Sequence, residues 1–232
     1  MELVGIVGGI APESTVDYYR RIVAQYGERA ADGSQPPVLI DSIDLQRLLH
    51  LAASDLPALA DYLATELERL ARAGATFAAL ASNTPHIVFD ELRRRSPVPL
   101  VSIVEATCDA AAAMGLRRVG ILGTRFTMEG RFYPDVFART GAAVVTPAAE
   151  DRALVHARYM DELVKGVFRE ETRAELAGVV ARLRERHGVE GVLLAGTELP
   201  LLLRGTRSEV PLLDTTEIHV RAIVDRLLGA RR

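Results

Sequence analysis

Two short segments hold the residue types best suited to chemistry, Ser82-Asn83-Thr84-Pro85-His86 and Gly196-Thr197-Glu198, and each follows an apolar run and opens a polar turn. Compact hydroxyl and amide groups just past a strand lie where open α/β sheets bind their ligands. His86 is the member of the first segment that can exchange a proton near neutral pH, although a histidine one turn into a helix can equally pack or orient a neighbour. Asn83 can hold a ligand or cap the next helix, with Pro85 at that helix's first position, and the two roles are compatible. A third segment, Gly8-Gly9-Ile10-Ala11-Pro12-Glu13-Ser14-Thr15, joins a strand to a helix through glycines that let the backbone approach a ligand. Such a turn can hold an anion through its N–H groups and the helix dipole, so a structural turn, a nucleotide site and a carboxylate site are all open readings. It lacks the full G-x-G-x-x-G spacing and the Lys-Ser/Thr ending of a P-loop.

Further polar residues fall at strand ends. Asp41, Ser42, Asp44 and Gln46 follow the second strand-like run, and Thr124, Thr127 and Glu129 follow the one ending at Leu122. Lys165 is either a surface lysine or a cation for an acidic ligand. His50, His156 and His187 read as surface or helix-face residues, and His219 as a structural one. The histidines have no metal-ligand spacing, and no G-x-S-x-G elbow supports hydrolysis. One cysteine, Cys108, excludes an intrachain disulfide and a multi-cysteine metal site. Its Ala-rich helical surroundings mark it as a buried packing residue.

These residues need a scaffold, and the chain supplies a repeating one. Strand-length apolar runs at 3–7, 38–43, 77–81, 100–104 and 119–122 alternate with helix-period segments, which is the pattern of a parallel sheet covered by crossover helices. Val119-Gly120-Ile121-Leu122-Gly123-Thr124 echoes Val4-Gly5-Ile6-Val7-Gly8-Gly9, and Val192–Thr197 echoes Ala78–Thr84, so two similar α/β domains are expected. Pro97-Val98-Pro99 and Val210-Pro211 suit the crossings, giving one domain over 1–98 plus 212–232 and another over 99–211. With 232 residues and 49% apolar composition the chain can bury a sizeable core. A net charge of -3 gives no broad cationic field for nucleic acid, and no apolar run approaches the roughly 20 residues that span a bilayer. The start lacks the order of a signal peptide, so a cytoplasmic location is expected.

The three segments, with Gly123-Thr124, Thr127, the Lys165 stretch and Asp214–His219, resemble the cofactor-independent aspartate/glutamate racemase family over nearly the whole chain. The resemblance implies two pseudo-symmetric domains, each a mainly parallel sheet flanked by helices, facing across a central cleft. It also implies no cofactor such as pyridoxal phosphate, no metal, a small amino-acid or carboxylate ligand and a homodimer. In that family the matching segments each carry a cysteine; here those positions are Ser82 and Gly196. Racemisation without a cofactor needs an acid/base group on each face of the α-carbon. A thiol with a pKa near about 8.5 serves, a serine hydroxyl needs an activating base, and glycine offers nothing. The candidate replacement groups are His86, Asp44 and Glu198, and the substrate-binding set is Gly9, Thr15, Gln46, Asn83, Thr84, Thr124, Thr127, Lys165 and Thr197. The resulting expectation is a family protein acting on a small amino acid or dicarboxylate without two-thiol racemisation. A lyase, decarboxylase or cis–trans isomerase on a related carboxylate, or a silent ligand-binding homologue, stands as the alternative.

Overall fold

A computed structural model of the chain describes residues 2–10 and 12–229, and Ala11 of the Gly8–Thr15 segment lies outside the described residues. The chain forms two compact units, the first running to Ala106 and resuming at Thr216, the second spanning Thr107–Thr215.

In the first unit the order is β1 (Val4–Gly8), α1 (Pro12–Arg29), β2 (Val38–Ser42), α2 (Leu45–Ser54), α3 (Leu56–Arg72), β3 (Phe77–Leu80), a 3₁₀ turn Thr84–Val88, α4 (Phe89–Arg95) and β4 (Leu100–Val101), followed by α5 (Ile103–Ala113). The second contains β5 (Arg118–Gly123), α6 (Arg125–Glu129), α7 (Phe132–Ala138), β6 (Ala143–Val145), α8 (Ala149–Asp161), a 3₁₀ turn Leu163–Lys165, α9 (Glu170–His187), β7 (Gly191–Ala195), α10 (Leu199–Leu203) and β8 (Leu212–Asp214). The last helix is α11 (Thr215–Leu227).

Each unit holds a four-stranded sheet, ordered β2-β1-β3-β4 and β6-β5-β7-β8, and every pairing is parallel. The expected pair of parallel α/β sheets is therefore present, with the same strand order in both. Helices supply the covering that buried parallel strands require. β1, β3 and β7 are buried along their whole length. Val4, Ile6, Phe77 and Ala79 pack with Tyr18 and Ile22 of α1 and with Val220 and Ile223 of α11. In the second unit Leu122, Val192 and Leu194 pack with Val155 and Tyr159 of α8 and with Leu176, Val179 and Leu183 of α9.

The run 100–104 is strand only at Leu100 and Val101. Ser102 Oγ accepts the N–H of Glu105 at 3.3 Å and Ser102 O accepts that of Ala106 at 3.0 Å, so the chain turns into α5 there. Hydrophobicity favours continuing the strand, and the Ser-x-x-Glu capping pattern overrides it. Among the described residues no helix is long and apolar enough to cross a membrane.

Candidate functional site in the strand-end loops

In both sheets the adjacent central strands send their chain to opposite sides, β1 to β2 and β3 to β4 in the first unit, and β5 to β6 and β7 to β8 in the second. The loops beyond the carboxyl ends of such strands border the crevice where α/β sheets take ligands. The first unit thereby brings the Gly8-Gly9 turn beside Ser82-Asn83-Thr84, since β1 and β3 are paired through Val7 and Leu80. The second brings Gly123-Thr124 beside Gly196-Thr197-Glu198, through the pairing of Gly123 with Ala195.

The Gly8-Gly9 turn is built by crowding. A Cβ at Gly8 would lie 2.5 Å from Thr15 Cγ2, and one at Gly9, whose φ is +83°, would lie 2.4 Å from the carbonyl oxygen of Ile43. Only glycine fits there without strain. Gly9 N–H donates to Thr15 Oγ1 at 2.8 Å, so Thr15 locks the turn to α1 and that amide is engaged inside the protein. The matching turn of the second unit follows the same plan: a Cβ at Gly123 would meet the Thr127 side chain at 3.1 Å. Thr124 caps α6 through Thr127 N–H at 3.3 Å, and the two threonine hydroxyls lie 3.1 Å apart.

Asn83 and Thr84 are buried at the start of the 3₁₀ turn, and Asn83 occupies the cap position without making a side-chain cap hydrogen bond. Of the two roles open to Asn83 in the sequence, capping is the one the geometry withholds. His86 is 2% exposed, stacks on Phe89 with ring centroids 4.6 Å apart, and points Nδ1 at the carbonyl oxygen of Ser82 at 3.1 Å. That carbonyl only accepts, so Nδ1 carries the proton. Nε2 is buried with no hydrogen-bond partner among the described residues. Burial first, and the electrostatic influence of the neighbouring His219 ring second, push the imidazole down to about 3, so it is neutral at physiological pH. His86 therefore holds the backbone of Ser82 and does not activate its hydroxyl. His219 is structural, accepting from Tyr18 Oη at 2.9 Å and donating Nε2–H to Val101 O at 3.0 Å.

The other candidates divide. Asp44 is the N-cap of α2, accepting from Gln46 N–H at 2.8 Å and Arg47 N–H at 3.2 Å, which gives its carboxylate a structural task. Gln46 is exposed on the first turn of that helix, and Lys165 is exposed in its own 3₁₀ turn. Asp41 pairs with Arg69 at 3.1 Å. Thr197 and Glu198 are buried, and Thr197 Oγ1 donates to Glu198 Oε2 at 2.9 Å. Cys108 is buried in α5, its Sγ 3.8 Å from Val136 O and 3.7 Å from Thr140 Oγ1. Among the described residues no group of three His, Cys, Asp or Glu is placed to hold a metal ion.

Sequence reasoning missed Tyr159. It projects from α8 onto Gly196, and its hydroxyl donates to Glu198 Oε2. The available signal was Gly196 itself, a glycine at the end of a buried strand with nothing in the sequence to say what fills the space a side chain leaves. His156, one turn earlier on α8, accepts the Arg125 N–H at 3.2 Å, so one helix face binds both strand-end loops of this unit.

The family model for Asp/Glu/hydantoin racemases matches residues 7–223. The broad specificity amino-acid racemase RacX of Bacillus subtilis (strain 168) is 22% identical over 98% of this chain and 99% of its own. A crystal structure of a candidate Asp/Glu racemase from Yersinia pestis superposes with a TM-score of 0.89 at 33% identity, covering 98% of this chain and 100% of the other. An aspartate racemase homologue from Pyrococcus horikoshii OT3 gives 0.84 at 32% identity, again over 98% and 100%. With its two parallel sheets and paired strand-end loops, this chain belongs to the Asp/Glu/hydantoin racemase family.

Proposed function

We propose that the strand-end loops bind a small amino acid or dicarboxylate, and that the protein does not racemise it through two thiols. The observation that carries this reading is the position of the single thiol. Cys108 is buried in α5 against Val136 and Thr140, while the two strand ends that carry cysteine in the resembled racemases carry Ser82 and Gly196. A proton must leave one face of the α-carbon and return on the other. Ser82 is too weak an acid to share that work without a base, and the nearest imidazole, His86, is turned to its carbonyl. The buried amide and hydroxyl of Asn83 and Thr84 remain suited to orienting a carboxylate. Pyridoxal phosphate plays no part in this reading, and the homodimer is carried over from the resemblance.

The test is direct binding. Calorimetric titration with aspartate, glutamate, succinate and a panel of neutral amino acids is expected to find a carboxylate ligand whose affinity falls at least tenfold in Asn83→Ala and Thr84→Val. No binding across the panel, or binding indifferent to both substitutions, contradicts the reading.

A further inference from the structure

The backbone does not explain why residue 196 is glycine. Gly196 does not have a positive φ, so no left-handed backbone calls for glycine there. The obstacle is a side chain. A Cβ at 196 would lie 2.4 Å from Tyr159 Cε2, 3.0 Å from Cζ and 3.0 Å from Oη. Contact at the first of these distances is prohibitive, because packed carbon atoms sit about 3.5–4.0 Å apart. Nor can the ring swing aside at no cost: Tyr159 is 6% exposed within the core of its unit, and its hydroxyl is held by Glu198, itself 1% exposed and bonded to Thr197 Oγ1 at 2.9 Å.

Resting on the proposed ligand site, we propose that Tyr159 stands in for a side chain at position 196: its ring fills that volume, and its hydroxyl, fixed by Glu198, is the polar group this strand end turns to a ligand. Tyr159 is then the residue that decides which chemistry the second unit's loops can offer. A phenol whose proton is committed to a carboxylate presents lone pairs and accepts hydrogen bonds, as a ligand ammonium group requires. It is a poor source of protons, since burial first and the Glu198 charge second hold the phenol well above its ordinary pKa. Restoring a thiol at 196 alone cannot succeed while the ring is in place.

The experiment is a double-mutant cycle read by thermal melting, in which coupling appears as non-additivity. Gly196→Ala alone is expected to lower Tm by about 5 °C or more. In a Tyr159→Phe background, which keeps the ring and drops the hydroxyl, the penalty stays. In a Tyr159→Leu background, which removes Cε2, Cζ and Oη, it largely disappears. Should Gly196→Ala fail to fold, recovery of folded protein in Tyr159→Leu/Gly196→Ala demonstrates the same coupling. Equal penalties in all three backgrounds overturn the pairing. The orientation toward a ligand is read by Tyr159→Leu/Gly196→Cys with an aromatic disulfide reagent: the native variant is expected to titrate one thiol more than the Tyr159→Leu single variant. A new thiol that reacts only after denaturation overturns that part. Neither readout uses a ligand, so a failure of the carboxylate titrations would sink the functional reading and leave both results standing.

Discussion

His86 illustrates how burial sets what a residue type can do. By residue type and position it is the best-placed acid/base group of the sequence; in the fold it is a neutral imidazole clamped to the Ser82 carbonyl, stacked on Phe89 and under the electrostatic influence of the His219 ring and the Arg93 guanidinium. Its folded-state pKa of about 3 lies below the roughly 6.5 of an unfolded histidine. Between those values the unfolded chain binds a proton that the folded chain excludes, so this residue's contribution to stability is full above about pH 6.5 and is lost as the pH falls toward 3. Urea denaturation at pH 7 and pH 5 is expected to show a loss that His86→Asn reduces by up to about 1.4 kcal/mol per pH unit. An unchanged slope would show that His86 binds protons equally in the folded and unfolded chains, and so is not held neutral by burial. Cys108→Ala is expected to cost about 1 kcal/mol of stability and to leave carboxylate affinity within a few-fold, because the thiol packs against Val136 and Thr140. A hundredfold loss of binding with folding intact by circular dichroism would give the thiol another role. At this scale the sequence places a residue in its element more readily than it says what the side chain touches, since a partner such as Tyr159 for Gly196 comes from a helix with no fixed spacing to it.

Helices and strands are more legible, because apolar period and strand length are properties of a local window. Where the apolar pattern misleads, a short polar signal outweighs it, as at Ser102, whose capping bond starts α5 two residues earlier than the apolar run suggests. β6, only Ala143–Val145, is too short to stand out by composition and is defined by its pairing with β5. Two substitutions test the elements that hold the first unit's loops. Asp44→Ala removes the cap of α2 and is expected to cost about 1 kcal/mol while leaving ligand affinity unchanged. An abolished affinity in the folded variant would restore Asp44 to the chemistry. Gly9→Ala meets both a positive φ and the Ile43 carbonyl, and is expected to cost about 2 kcal/mol or more in chemical denaturation. A neutral effect would mean the turn relaxes where the packing says it cannot.

Across the whole molecule, the repeated Val-Gly-Ile pattern announces two related units, and the identical strand orders express it. Family membership follows from the match over residues 7–223 and the two parallel sheets, whereas the reaction depends on a few side chains that a shared fold leaves free to change. The fold persists here, on this reading, without two-thiol proton transfer. Incubation of the unaltered protein with each enantiomer of aspartate and glutamate in deuterium oxide, followed by chiral chromatography and mass analysis of the α-position, decides the matter. No inversion above a protein-free control is expected. Rapid inversion with deuterium at Cα would refute the reading, and would mean that Ser82 and the Tyr159–Glu198 pair transfer protons after all.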